Sequence, residues 1–233
     1  MIIAGKITEF YKRSEQKTYL HCGTHPYLYR HLGRIIPWPM IAIKPIELDV
    51  SQKSQLKRDF DRADLIILTS PSAVAHFIPI ILSLCSPAEL HTKVIAAIGK
   101  HTAKDLESFK AQACIISSEE TAQGLFKTLD AIMSLSGKNI LFPRSSLPNP
   151  FLKESLEKKG AIVHEWAVYL NTKPLKRDLP NEDIRGIIFT SPSTVQNFLE
   201  DYQIIPKHWE ILAKGPVTEA VLKQAGYYSR IIL

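Results

Sequence analysis

Two stretches of this chain are nearly identical: residues 66–74 read IILTSPSAV and residues 187–195 read IIFTSPSTV. Each begins as a short apolar strand and continues through a hydroxyl pair and a proline. After the proline, apolar residues recur at i, i+3, i+4 and i+7, which is the spacing of a helix with one buried face. These residues are Val74, Phe77, Ile78 and Ile81 in the first copy, and Val195, Phe198, Leu199 and Tyr202 in the second. The repeat predicts two similar halves, with a functional cleft between them.

The turn of each copy has the composition of a helix start. Ser70 and Ser191 are good N-cap residues, and the prolines that follow them fit the first helical turn, where the missing N–H costs nothing. Such a helix start directs free backbone N–H groups at whatever lies beyond the strand, and it therefore favours anions.

Two further correspondences support the duplication. Gly99 and Thr102 match Gly215 and Thr218, each pair after a predicted strand and before a predicted helix. Residues 139–163 have the outline strand–helix–strand, and residues 18–43 repeat that outline more weakly.

The capping-box spacing of Ser117 and Glu120 predicts another helix. This helix is expected to run through Leu125, Leu129 and Ile132.

The order of these pieces predicts that the chain crosses twice between two α/β lobes. Residues 1–37 and 174–233 are expected to form one lobe and residues 45–165 the other, with linkers at 38–44 and 166–173. Alternating strands and helices predict parallel sheets whose ligand-facing loops lie at the carboxyl ends of the strands. The sequence stops on a predicted strand, so the first lobe is expected to lack one helix.

Charge and cysteine content narrow the class of protein. The net charge is +6, but lysines and arginines are scattered, which disfavours nucleic acid as the partner. Three distant cysteines, Cys22, Cys85 and Cys114, predict a reducing, cytoplasmic location. The longest apolar stretch, residues 77–85, is too short to span a membrane, and the first residues do not resemble a secretory signal.

Several catalytic motifs are absent from the sequence. It has no GxGxxG, GxxxxGK[ST], HExxH or GxSxG pattern. His21, Cys22 and His25 have no second ligand pair at suitable spacing, so no metal site is predicted.

The remaining candidates for a functional site are strand ends with polar groups that can bind anions. Hydrogen bonds to charged groups are each worth about 1.5–3 kcal/mol, so five such loops predict a binding site for a polyanion. The candidate binding residues are Thr69, Ser70, Ser72, Gly99, Lys100, Thr102, Arg144, Ser145, Thr190, Ser191, Lys214 and Thr218.

Two further motifs are LFPRS at 141–145 and VYLNT at 168–172. Together with the doubled TSPS and the paired Gly-x-x-Thr turns, they give the chain, from about Tyr19 to Leu233, a resemblance to the uroporphyrinogen-III synthase family. It implies two flavodoxin-like α/β lobes with parallel sheets, joined by a two-stranded linker. It also implies a cofactor-free, monomeric hydro-lyase of haem biosynthesis. The expected substrate is hydroxymethylbilane, a linear tetrapyrrole with eight carboxylates, which closes to uroporphyrinogen III with inversion of ring D and loss of water.

The same resemblance implies roles for particular residues. Tyr169 holds the position of the family's candidate proton donor. Thr69, Ser70, Thr190, Ser191 and Thr218 match hydroxyl positions of its substrate site. The chain departs from the family at residues 20–24, where LHCGT stands in place of a strand ending in Thr-Arg-Pro.

Two alternatives remain open from sequence. One is a non-catalytic anion-binding or sensor protein that keeps the two lobes without the chemistry. The other is a flavodoxin-like or nucleotide-binding protein, which would be isolated with a coloured or nucleotide ligand.

Overall fold

A computed structural model describes residues 17–147 and 150–232 of the chain. Strands and helices alternate along it. The strands are β1 (Thr18–His21), β2 (Arg34–Pro37), β3 (Ala42–Pro45), β4 (Leu65–Leu68), β5 (Ile95–Ala97), β6 (Ile115–Ile116), β7 (Asn139–Ser145), β8 (Ile162–Thr172), β9 (Gly186–Phe189), β10 (Glu210–Ala213) and β11 (Arg230–Ile231). The helices are α1 (Val50–Arg62), α2 (Pro71–Leu82), α3 (Pro87–His91), α4 (Lys100–Glu107), α5 (Ala122–Ile132), α6 (Pro150–Lys158), α7 (Pro192–Tyr202) and α8 (Pro216–Gln224), with a 3-10 helix at Pro26–Leu32.

The chain divides into two compact units. The terminal unit contains the described residues up to Ala42 and those from Thr172 onward, and the central unit contains the described residues from Ile43 to Asn171. The predicted linker segments contain most of β3 and the last part of β8. Within the terminal unit, the Thr172 hydroxyl donates to the Ala42 carbonyl at 3.2 Å, and Asn197 of α7 donates to the Met40 carbonyl at 2.7 Å.

The terminal unit is built on a five-stranded sheet in the order β11-β10-β9-β1-β2. All four neighbouring pairs are parallel. The chain runs outward from β9 on one side and from β1 on the other, so the order reverses between these two strands. In an open parallel sheet, ligands bind beyond the carboxyl ends of the strands at such a point.

The central unit is built on a six-stranded sheet in the order β3-β8-β7-β4-β5-β6. The pairs β4–β5, β4–β7, β5–β6 and β7–β8 are parallel. Its strand order reverses between β4 and β7. Two apolar clusters are built on this sheet, one around Phe60 and Phe77 and the other around Leu125 and Phe142. The predicted α/β class with parallel sheets is therefore confirmed.

Strand register relates the two units residue by residue. Ile66 pairs with Leu141, and its repeat counterpart Ile187 pairs with Leu20. Leu20 is thus equivalent to Leu141, and His21, the next residue, is equivalent to Phe142. The weak strand–helix–strand repeat is real, although its first copy contains a 3-10 helix.

The two TSPS segments start helices as their sequences predict. Ser70 and Ser191 are the N-caps of α2 and α7, and a proline is the first residue of each helix. Buried apolar residues then recur along one face, including Val74, Phe77 and Ile78 in α2.

The capping box predicted at Ser117 and Glu120 is wrong. Helix α5 begins later, with Thr121 as its cap and Gly124 N–H as the donor to the Thr121 hydroxyl. The Ser117 hydroxyl donates to the Glu119 carbonyl instead. Glu120 interacts with a different helix, α4, because its carboxylate accepts the N–H of Lys100.

In the part of the chain that is described, no helix is long and apolar enough to cross a membrane.

Candidate active site

Three hydroxyl residues meet at the carboxyl edge of the central sheet, where its strand order reverses. Ser70 follows β4, Ser145 ends β7, and Tyr169 lies in β8. The pairing of β7 with β8 shifts between Arg144, which faces Ala167, and Ser145, which faces Tyr169. The extra residue in β8 forms a bulge, and bulges commonly redirect a side chain beside an active site.

The Tyr169 hydroxyl is held in place by the start of α2. It lies 3.0 Å from Ser70 Oγ, which in turn accepts the N–H of Ala73 at 3.0 Å. One lone pair of Ser70 Oγ is therefore engaged, while its hydrogen remains free to be donated to the Tyr169 oxygen. In that arrangement the phenolic hydrogen of Tyr169 is available to a ligand.

Tyr169 is 7% exposed. Burial raises the pKa of the phenol above its usual value, whereas hydrogen bonds from Ser70 and Ser145 act to lower it. Burial disfavours the charged form, and the two hydroxyls stabilise that form. The result is a phenol that stays protonated at neutral pH and that has hydrogen-bond donors for its anion.

A histidine that sequence reasoning did not single out lies beside this group. The His76 ring of α2 packs against the Tyr169 ring, with centroids 5.3 Å apart and planes inclined by 33°. Its Nδ1 is 2.7 Å from the Ser72 carbonyl oxygen. Nothing in the local sequence marks this residue, because its partner is far along the chain.

The predicted anion-binding turn at Gly99 is occupied by the chain itself. The Lys100 N–H, the first of α4, donates to Glu120 Oε1 at 3.0 Å. A Cβ on Gly99 would collide with the Glu120 side chain. Thr102 is buried one turn further along. This turn therefore binds a carboxylate, and in the structure the carboxylate belongs to Glu120.

Arg144 also binds a carboxylate of this chain. Its Nε donates to Glu165 Oε1 at 2.6 Å, and its Nη1 donates to the Ser145 carbonyl at 2.7 Å. Ser72 lies on the first turn of α2, and Thr69 lies between β4 and the Ser70 cap.

The remaining predicted residues lie at the carboxyl edge of the terminal sheet. Thr190 packs so closely on Gly23 that a Cβ there would collide with it. Ser191 Oγ lies 3.0 Å from Ser193 Oγ. Lys214 is exposed and Thr218 is buried at the start of α8. Among the described residues, nothing lies within 4 Å of the position where Gly215 would carry a Cβ.

His21, at the end of β1, is fully buried, and in the described part of the chain neither ring nitrogen has a hydrogen-bond partner. Burial, followed by repulsion from His25, lowers its pKa to about 4. It is therefore a neutral imidazole in an apolar position. No group of three or more histidine, cysteine, aspartate or glutamate residues in residues 17–147 and 150–232 is placed to hold a metal ion.

Comparisons with known proteins identify the family. The model of the family "Uroporphyrinogen-III synthase HemD" matches residues 24–232. A uroporphyrinogen-III synthase of Chlorobaculum parvum is 30% identical over 180 residues, which is 72% of each chain.

Solved structures agree in fold. A mutant uroporphyrinogen III synthase of Thermus thermophilus matches with a TM-score of 0.64 and 15% identity, covering 91% of this chain and 90% of that one. The uroporphyrinogen-III synthetase of Helicobacter pylori matches with a TM-score of 0.62 and 17% identity, covering 93% and 92%. With a family model that spans nearly the whole described chain, a curated relative and the same fold, this chain belongs to the uroporphyrinogen-III synthase family.

Proposed function

We propose that the chain closes hydroxymethylbilane to uroporphyrinogen III with Tyr169 as the proton donor. The observation that carries this assignment is the Tyr169 hydroxyl, 3.0 Å from the Ser70 cap at the carboxyl edge of the central sheet. In the reaction, the C–O bond of the hydroxymethyl group breaks and its oxygen leaves as water with the proton of Tyr169. Ring D attacks through its substituted carbon, and the spiro intermediate rearranges to the inverted macrocycle. The proton that a pyrrole carbon loses on closure balances the one taken up by water.

A phenol suits this step for two reasons. Hydroxide is a poor leaving group, so a proton must be delivered as the bond breaks. Burial keeps the Tyr169 phenol protonated, and the hydroxyls of Ser70 and Ser145 stabilise the tyrosinate that forms.

We assign binding of the substrate carboxylates to the backbone amides and hydroxyls at the strand ends. The starts of α2, α7 and α8 supply free N–H groups, which favour negative charge. The net charge of +6 assists capture of a polycarboxylate. The proposed contacts are Thr69, Ser70, Ser72, Gly99, Lys100, Thr102, Arg144, Ser145, Thr190, Ser191, Lys214 and Thr218. Two of these places already hold a carboxylate of the chain, since Glu120 binds the Gly99 turn and Glu165 pairs with Arg144.

We also propose a cytoplasmic monomer. All three cysteines are unpaired, which agrees with a reducing compartment. Light scattering of the purified chain and fractionation of cells test the two statements separately.

The decisive experiment generates hydroxymethylbilane, adds the chain, oxidises the products and separates porphyrin isomers I and III. Predominant isomer III establishes the reaction and the inversion together. Isomer I alone, at the spontaneous rate, contradicts the proposal and favours a non-catalytic anion-binding protein.

The Tyr169→Phe variant tests the proton donor. It removes the phenolic proton and keeps the ring, so we expect kcat to fall by about 10-fold to 100-fold with little change in KM or fold. Tyr228→Phe is the matched control, because Tyr228 is 93% exposed. Full activity of Tyr169→Phe would show that this phenol is not the acid.

A further inference from the structure

His76 has a fixed tautomer when it is neutral. Its Nδ1 lies 2.7 Å from the Ser72 carbonyl oxygen, which can only accept, so Nδ1 carries a hydrogen. The other nitrogen, Nε2, is therefore the one that gains or loses a proton. The His76 side chain is half-buried, so it can exchange that proton with solvent.

Among the described residues, the elements that surround His76 give it no ion-pair partner. The elements packed against α2 are β4, β7 and α4, and β8 brings Tyr169 to the imidazole. In the described part of the chain, no carboxylate forms an ion pair with His76. The charged or titratable residues on those elements are Lys100, His101, Lys104, Asp105 and Glu107 on α4, Arg144 on β7, and His164, Glu165 and Tyr169 on β8. Of these, Tyr169 makes the ring contact.

Proton transfer from Tyr169 creates a need that this histidine can meet. A tyrosinate at a position that is 7% exposed is costly unless an opposite charge or hydrogen-bond donors compensate it. Ser70 and Ser145 supply hydrogen bonds but no charge. Imidazole is the side chain that changes its charge between pH 5 and 8, and it can therefore supply a cation at this place.

We propose that His76 acts through Tyr169: as an imidazolium packed against the phenol ring, it stabilises the tyrosinate that forms in each turnover. This inference rests on the proposed function. The proton passes from the Tyr169 oxygen to the departing hydroxyl, and the tyrosinate regains one from solvent, to which the pyrrole carbon loses a proton on closure. The charge of His76 does not change during the turnover. His76 is thus a positioning residue that acts through the charge on Tyr169.

The second TSPS copy lacks this device. The position equivalent to His76 is Asn197, which donates to the Met40 carbonyl and cannot take up a proton at neutral pH. At this helix position the terminal unit has an amide that bonds to neighbouring backbone, whereas the central unit has an imidazole. The imidazole therefore occurs in the unit that contains Tyr169.

The test is the pH profile of kcat for isomer III between pH 5.5 and 8.5. In the unmodified enzyme, kcat is expected to fall through one ionisation as the pH rises. His76→Gln keeps a polar side chain of similar length but has no such ionisation, so its profile is flat there and its kcat at pH 6.5 is about tenfold lower. A packing role alone would lower kcat without removing the ionisation.

His91→Gln is the matched control, because His91 is exposed and its imidazole also contacts a backbone carbonyl, that of Lys110. It should keep the profile of the unmodified enzyme. An unmodified enzyme with a flat profile overturns the proposal even if His76→Gln does not fold. So does a His76→Gln enzyme that keeps both the ionisation and kcat. These outcomes still give isomer III, whereas isomer I alone overturns the proposed function and this inference together.

Discussion

The two glycine turns of the duplicated halves start helices in the same way but meet different surroundings. Gly99 and Gly215 have nearly the same extended backbone, with φ and ψ of −173° and 179° in one and −175° and 177° in the other. Glu120 lies over Gly99, and among the described residues nothing lies over Gly215. Helix α8 therefore forms without any such carboxylate, so Glu120 is not needed to start α4. A short motif sets the course of the backbone, and distant residues decide what the motif binds.

The same contrast holds at the two strands where the chain order reverses. The central unit places Phe142 in an apolar cluster, and the terminal unit places His21 at the equivalent position. His21 is fully buried, packs its ring 4.9 Å from that of Tyr29, and has no hydrogen-bond partner in the described chain. One half carries an ordinary core residue and the other carries a titratable one.

The largest effect that we predict concerns this pair. The pKa of His21 is lowered to about 4 in the folded chain, against an ordinary value of 6.5. The unfolded chain therefore binds more protons between these values, and the free energy of unfolding falls as the pH drops from 6.5 to 4. The loss is about 3 kcal/mol, because one pKa unit corresponds to about 1.4 kcal/mol. Urea unfolding at pH 7 and at pH 4 measures it.

Exchanging the two residues tests the same comparison in both directions. His21→Phe should remove this pH dependence, because phenylalanine has no group that takes up a proton. Phe142→His should introduce a similar loss at low pH into the central unit. His208→Gln, at an exposed position, is the control. An unchanged pH dependence in His21→Phe would mean that another group titrates.

An intermediate effect is predicted for the two cap serines. Ser70→Ala removes the acceptor for the Ala73 N–H and the partner of the Tyr169 hydroxyl, which should cost about 1–2 kcal/mol. Ser191→Ala should cost about 0.5 kcal/mol or less, because the Thr194 N–H donates to the Ser191 carbonyl at 3.1 Å and, in the described chain, makes no hydrogen bond to the Ser191 hydroxyl. Thermal unfolding of the two variants measures both losses. Equal losses would mean that the two copies are energetically alike.

The sequence predicted those features that depend on neighbouring residues. Apolar spacing and the Ser-Pro pairs predicted α2 and α7, and the repeats predicted parallel α/β units. Contacts between residues that lie far apart in the sequence could not be predicted from it. Ser70 and Tyr169 are 99 positions apart, and their role was predicted from family resemblance and not from spacing. The capping-box prediction failed for the same reason, since Glu120 bonds to a helix start 20 residues earlier. His76 carries no local signal because its partner lies on another strand.

The smallest effect that we predict concerns Glu120. Its side chain is exposed and accepts one N–H, so a carboxylate of a ligand competes with it for the Gly99 turn. Glu120→Ala should therefore tighten binding of uroporphyrin, a stable octacarboxylate, by about threefold, which corresponds to less than one hydrogen bond to a charged group. Fluorescence titration at 0.15 M salt measures the Kd. Glu119→Ala removes the same charge one residue earlier, where the carboxylate lies 3.8 Å from Lys127. If both variants tighten binding equally, net charge is the cause. If Glu120→Ala alone does so, the two turns differ only because the chain blocks one of them.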